Sequence, residues 1–516
     1  MNYPEWLKGS IIYSVYPQSF NDTNGDGIGD LNGITEKLDY IKSLGCNIIW
    51  MNPIFESPFR DAGYDITDFY KIAPRYGTED DLFNLCSKAK EKGIHIMLDL
   101  VAGHTSLECE WFQQSARYDV NRYSNRYIWT KSIGDVGDGT FINGYSERNG
   151  SFMKNYYYCQ PALNYGFANP DPEKEWQLPV DHPDCIDTQN EILRIMDYWS
   201  AFGVDGFRVD MAYSLVKNDP DSVETIKLWK KLSYEFKQKH PESILIAEWG
   251  YPERSIEGGF DIDYLMQGRL GMYTTLFRHE PGKSDRLTWV GPSYFRKEGK
   301  GDFSLFSDEF SEQLRKIKGK GYMSIITGSH DLSRISLERD EEDLKVVQAF
   351  IMTMPGIPLV YYGDEIGMKY IPDMRSVEGA YQRTGSRTPM QWNHEKNYGF
   401  SVADKIYIPQ DMSEDAPTVE QQEKDEESLL NHLRKLTLLR KKHLSLQEDG
   451  EFNVVSSGYP AVYERTLGDE KITVIINPSD REYDMEVNCT DILAQRNTEI
   501  KNNLLKIKGR GYLIYK

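Results

Sequence analysis

The chain has 516 residues, 39% of them hydrophobic and 27% charged. That balance fits a folded globular protein, and the length asks for two or three cores, one of them large. A formal net charge of -20 repels nucleic acid and anionic lipid surfaces, so neither is an expected partner. Residues 1–7 carry no basic segment followed by an apolar run, and no apolar run reaches about 18 residues, so neither a secretory leader nor a membrane span is expected and the reading is cytoplasmic. Cys46, Cys86, Cys109, Cys159, Cys185 and Cys489 form no CxxC and read as free thiols of a reducing compartment. Aromatics at 13% suit sugar rings and large cores alike.

Residues 11–16 read as the first buried strand. The loop after it places Asp22, Asn24, Asp26 and Asp30 around glycines, with the Ile28 carbonyl between. That is a donor set for a hard cation, Ca²⁺ or Mg²⁺, although the downstream Glu of an EF-hand is replaced by Gly33. The alternative is a surface loop of Asx-turns. Residues 31–44 have helical spacing and 46–51 form the next strand. Thr78 caps a helix to residue 92, stopped by Gly93, and 94–101 form a third strand. Strand–helix–strand alternation at this spacing means parallel strands.

Residues 105–180 break the pattern, being polar and aromatic with no clean period, and read as an inserted small domain. Alternation then resumes, with helices at 188–202 and 223–239 and strands at 204–210, 243–248, 260–265, 322–327 and 357–362. Eight strands make a (β/α)₈ TIM barrel built from 1–104 and 181–448. A basic-ended helix over 429–442 precedes an all-β domain, a β-sandwich over 449–516.

Barrel sites form at the C-terminal strand ends, where Asp99, His104, Arg208, Asp210, Glu248, His330 and Asp331 fall. Arg208 and Asp210 are two apart on a strand and share a face, so the arginine is expected to hold Asp210 ionised, as a nucleophile requires. Glu248 lies between Ala247 and Trp249, an apolar setting expected to raise its pKa and make it the proton donor. Asp331 beside His330 is placed to grip sugar hydroxyls. Such a set divides the labour of glycoside cleavage, and a retaining mechanism would put the Asp210 and Glu248 carboxyls about 5–5.5 Å apart.

Four stretches, 99–104 (DLVAGH), 206–210 (GFRVD), 247–249 (AEW) and 329–331 (SHD), resemble in order the motifs of the alpha-amylase superfamily, glycoside hydrolase family 13. The resemblance implies a barrel with an inserted domain B, a C-terminal β domain and a retaining mechanism. It makes Asp210 the nucleophile, Glu248 the acid/base and Asp331 the transition-state stabiliser, with His104, Arg208 and His330 lining the subsite of the attacked sugar. Residues 61–66 (DAGYDI) and 387–392 (RTPMQW) are similar to the alpha-glucosidase and oligo-1,6-glucosidase branch, and to trehalose synthases. There Tyr64 would stack on the terminal glucose, and an Asp61–Arg387 pair would close the pocket behind one sugar. The same resemblance implies Ca²⁺ in the 22–30 loop. Gly103, Met211 and Ala162 depart from the family pattern, and linkage preference does not follow from Met211. The expected activity is a retaining, exo-acting alpha-glucosidase on short oligosaccharides. A trehalose-synthase-like transfer enzyme and a non-catalytic sugar-binding relative are the alternatives.

Overall fold

Eight parallel strands follow one another along the chain: β1 Ile12–Val15, β2 Ile48–Met51, β3 His95–Leu100, β4 Gly206–Val209, β5 Ile244–Ala247, β6 Ile262–Leu265, β7 Tyr322–Ile325 and β8 Leu359–Tyr361. The computed structural model describes residues 3–135, 140–265, 272–277, 292–378 and 383–516. In it the strands lie in the order β7-β6-β5-β4-β3-β2-β1-β8, every neighbouring pair parallel. A parallel bridge from Ile326 to Leu359 and the bond from Thr327 N–H to the Leu359 carbonyl (3.0 Å) bring β7 onto β8 and complete the (β/α)₈ barrel. Both faces of the strands are covered, which is why they read as short unbroken apolar runs.

The helices follow their local signals with two exceptions. Thr78 and Asp81 form a reciprocal cap on Glu79–Glu91, while Val223–Lys239 and Leu429–Lys442 run as the sequence predicts. The helix expected over 31–44 is instead Leu31–Glu36 and Leu38–Ser43, broken at Lys37, whose ammonium lies 4.2 Å over the Trp392 ring. The helix expected from 188 starts earlier, as Pro183–Ser200, with Pro183 in its first turn and the His182 ring accepting from the Asp184 amide.

A short hairpin, Phe55–Glu56 with Asp68–Ile72, follows β2 and carries Asp61 and Tyr64 at its tip. Between β3 and Pro183 the chain makes one helix, Glu110–Ser115, and a two-residue ladder, Phe141–Ile142 with Phe152–Met153; its other described residues are turns, bridges and irregular chain. Bridges from His104 to Ala162 and from Phe167 to Lys217 tie this segment to the barrel mouth.

The C-terminal strands are β9 Glu451–Ser456, β10 Ala461–Leu467, β11 Glu470–Asn477, β12 Tyr483–Glu486, β13 Ile492–Lys501 and β14 Leu504–Tyr515, all antiparallel. Strand β14 pairs first with β12 and then with β11, turning at Arg510, where φ is +53°. All six cysteines are free thiols. Among the described residues, no helix is long and apolar enough to cross a membrane.

Candidate active site

Strand register builds the site. Arg208 on β4 faces Asp99 on β3 and Ile246 on β5, so the ends of three strands meet around its side chain. That side chain is buried. Nη1 donates to Asp99 Oδ1 (2.7 Å) and Asp210 Oδ1 (3.2 Å); Nη2 donates to Tyr264 OH (2.6 Å) and lies 2.8 Å from Glu248 Oε2. One guanidinium therefore sits among three carboxylates. Glu248 Oε2 also accepts from the Met211 N–H (2.8 Å), and Met211 adopts a left-handed φ of +42°. Asp99 Oδ2 accepts from Trp50 Nε1 (3.1 Å) and Tyr64 OH (2.9 Å).

This arrangement corrects two expectations. Arg208 does not serve Asp210 alone, and it lies closer to Asp99 and Glu248. Burial, and then the charge of Glu248, push the Asp210 carboxyl well above its ordinary range, against the pull of Arg208. Asp210 thus holds its proton more tightly than an isolated carboxyl does, as an acid beside a second negative charge must. Nor is Glu248 in an apolar setting, since its carboxylate meets Arg208 and a backbone amide. Ala247 and Trp249 precede and follow it, and successive side chains on an extended chain point to opposite faces, so their apolarity says nothing of its surroundings.

Across the pocket, Asp331 Oδ1 forms ion pairs with Arg383 and with Arg387 Nη2 (3.3 Å), and His330 Nε2 lies 3.4 Å from Oδ2. Burial acts to raise Asp331, but Arg383, then His330 and Arg387, outweigh it and hold the carboxyl well below its usual range. Asp61 pairs with Arg383 (2.7 Å) and accepts from Gln160 Nε2 (2.8 Å). The expected Asp61–Arg387 pair is thus replaced by Asp61–Arg383. Arg387 lies deeper, its Nε donating to the His330 carbonyl (2.9 Å). Choosing between two arginines four residues apart in one loop needs the loop's path, which no local pattern encodes.

Asp61, Tyr64, His104, Asp210, Glu248 and Asp331 line one cavity of about 270 Å³, with Arg383, Met211, Tyr156 and Tyr213 completing its wall. Arg208, His330 and Arg387 stand behind it. The Tyr64 ring stacks on His330 at 5.2 Å, and Asn52 Nδ2 lies 3.0 Å from both Tyr64 OH and His330 Nδ1. Burial lowers His104 to about 3, so its ring is neutral, with Nε2 3.1 Å from the Tyr64 carbonyl and Nδ1 3.1 Å from Asn155 Nδ2. Lys217 Nζ donates to Asn155 Oδ1 (3.2 Å) and the Ser214 carbonyl (2.5 Å), and burial lowers it to about 8.

Residues 14–449 match the family model described as "Alpha amylase, catalytic domain". The chain belongs to the alpha-amylase family. This alpha-amylase-family enzyme is 30% identical to the trehalose synthase/amylase TreS of Mycolicibacterium smegmatis, over 89% of this chain and 79% of that protein. It is 28% identical to the oligo-1,6-glucosidase of Parageobacillus thermoglucosidasius, over 92% and 91%. Its fold is that of the isomaltulose synthase of Erwinia rhapontici, with a TM-score of 0.82 at 24% identity over 99% of both chains. The trehalose-6-phosphate hydrolase of Bacillus licheniformis gives 0.81 at 25%, also over 99% of both. The relatives therefore divide between transferring or isomerising enzymes and hydrolases, rather than falling with the glucosidase branch alone.

Sequence reasoning on this alpha-amylase-family chain missed Arg383, Gln160, Asn52 and Tyr264. Tyr264 was within reach, since it is the last but one residue of the strand predicted over 260–265 and falls under the strand-end rule that found the others. In the 22–30 loop, Asp22 accepts from the amides of Asn24 (3.1 Å), Gly25 (2.8 Å) and Gly27 (2.8 Å). Asn24 Oδ1 accepts from the Asp26 amide (2.9 Å) and Asp26 Oδ1 from the Ile28 amide (2.8 Å), while Asp30 caps the helix at Gly33 (2.7 Å). Among the described residues, no three His, Cys, Asp or Glu side chains gather as a metal site. The all-oxygen donor chemistry of the loop suits a hard cation, and Asn24 Oδ1 and Asp26 Oδ1 each accept a single bond, whereas both oxygens of Asp22 and of Asp30 already accept two and would have to exchange some of them for the ion.

Proposed function

We propose that this enzyme takes one terminal alpha-linked glucose from a short glucoside, holds it as an ester of Asp210 and passes it to another sugar hydroxyl, as a trehalose synthase does, with water as a competing acceptor. The observation that carries the reading is the convergence of Asp210, Glu248 and Asp331 on one cavity, with Arg383 joining Asp61 to Asp331 across its wall. In this reading Asp210 attacks the anomeric carbon while Glu248 gives its proton to the leaving oxygen. Glu248 then takes a proton from the incoming hydroxyl, and the configuration is retained. Asp331, held ionised by the arginines, grips ring hydroxyls and favours the flattened transition state. Asp61 and Arg383 bind the outer hydroxyls of the terminal ring, Tyr64 stacks on it, and His330 donates to it from Nε2 as a neutral ring, while His104, with Nε2–H given to the Tyr64 carbonyl and Nδ1 accepting from Asn155, lines the cavity and holds Tyr64 in place. Arg208 keeps the acids in place, and Arg387 fixes the His330–Asp331 turn.

The TreS relative supports transfer as the main outcome. Hydrolysis by a retaining exo-alpha-glucosidase is the second reading, favoured by the oligo-1,6-glucosidase relative, which is matched over nine-tenths of both chains. Incubation with maltose and product analysis by NMR separates the two. Trehalose or new glucosyl disaccharides support transfer, glucose alone supports the glucosidase, and no turnover of maltose, isomaltose, sucrose, trehalose or kojibiose removes both. We further propose that the 22–30 loop binds Ca²⁺ through Asp22, Asn24, Asp26, Asp30 and the Ile28 carbonyl, as a stabilising ion away from the chemistry.

A further inference from the structure

We infer that Asp263, on the outward face of β6, is a positioning residue for Glu248, gripping the loop after β5 so that the Glu248 carboxyl stays aimed into the cavity. The inference rests on the reading of Glu248 as the acid/base. Asp263 and Tyr264 are adjacent on β6 and so point to opposite faces. Tyr264 accepts from Arg208 Nη2 on the inner side, at 2.6 Å. On the outer side, Asp263 Oδ1 accepts from the amides of Trp249 (3.3 Å) and Gly250 (3.1 Å), the Tyr251 amide also bonds to the carboxylate, and Oδ2 accepts from Ser255 Oγ (2.9 Å). Three successive amides thus converge on one carboxylate, beginning at the residue next to Glu248. Gly250, at φ +75°, supplies the left-handed turn that lets them converge.

Asp263 is fully buried, and among the described residues no cation pairs with it within 4 Å. Burial pushes its carboxyl up to about 7. A buried carboxylate without a cation is a costly choice where packing alone is at stake. Here it holds the chain on the C-terminal side of Glu248. The Glu248 amide is already bound to the Val209 carbonyl (3.1 Å), and its carbonyl accepts from the Ala212 amide (3.2 Å). Strand β6 thereby fixes the acid from both faces, through Arg208 inside and through this loop outside.

The test uses two glucosyl donors with the full-length protein. Maltose needs a proton on its leaving oxygen; alpha-glucosyl fluoride does not. D263A and D263N should each lower kcat/KM on maltose, D263A by about 100-fold as expected for a misplaced general acid, while kcat/KM on the fluoride changes by only a small factor. D263N retains one acceptor oxygen and should lose less. E248Q is the control. If E248Q spares maltose, or loses maltose and fluoride equally, the reading of Glu248 itself fails, whatever Asp263 does. If E248Q shows the split but both Asp263 variants lower the two donors equally, or neither, the inference is overturned. A D263N protein that no longer folds overturns it too, because the carboxylate is then a stability element.

Discussion

Arg208 meets three carboxylates, and the consequence is felt at Asp210. Its carboxyl is pushed up first by burial and next by the neighbouring charge of Glu248. In the proposed mechanism Asp210 must be ionised to attack, so the acid limb of kcat/KM on alpha-glucosyl fluoride should lie above the ordinary carboxylate value of about 4. Replacing Glu248 with Gln removes a negative neighbour, lowers the Asp210 pKa and should carry that limb to lower pH. An unmoved limb would mean that Glu248 does not set the ionisation of Asp210. At this scale the sequence was legible where a rule about strand ends applied: Asp210, Glu248, His104, His330 and Asp331 all arrive at one mouth. It was illegible where the answer depended on which way a side chain turns. The environment of Glu248 could not be read from Ala247 and Trp249, and the partner of Asp61 could not be read from the RTPMQW motif.

The central element is the β4–β5 pair, which carries Asp210 and Glu248. Gly206 permits it. A Cβ there would lie 2.1 Å from the Ile244 carbonyl oxygen and 2.9 Å from Met97 Cε. The first is backbone and cannot yield cheaply, so Gly206→Ala should cost at least about 3 kcal/mol in denaturant unfolding. A midpoint equal to that of the parent would show that β4 can move away from β5 freely. The 22–30 loop gives a second prediction at this scale. If it holds Ca²⁺, EDTA should lower the melting temperature and Ca²⁺ should restore it, with D22N abolishing the response. A melting temperature indifferent to EDTA and Ca²⁺ would leave the loop as a self-bonded Asx motif. Elements with their own punctuation, such as the Thr78 cap and the Gly93 stop, were legible to within a residue or two. The 31–44 break was not, because it comes with a contact to Trp392, some 350 residues away.

For the whole molecule, the alternation of apolar runs and amphipathic helices was enough to predict the barrel, since each βα unit is a local statement. How the C-terminal sheet sits on the barrel was not in the pattern. It rests on Arg465 and Tyr463 of β10, both buried. Arg465 donates to the carbonyl of Thr353, at the end of a barrel helix, and to those of Leu446, Gln447, Gly450 and Glu451, and Tyr463 OH lies 2.6 Å from Thr353 Oγ1. Such contacts join residues up to about a hundred positions apart and leave no local signature. The barrel so braced presents one cavity with two kinds of acid in it, and the account stands on what those acids do. Peptide mapping after incubation with 5-fluoro-alpha-glucosyl fluoride, a donor that forms the covalent intermediate faster than it breaks down, tests this most directly. The account predicts one glucosyl-ester adduct on the peptide containing Asp210, absent in D210N. An adduct on another residue, or turnover of the donor by D210N, would contradict it.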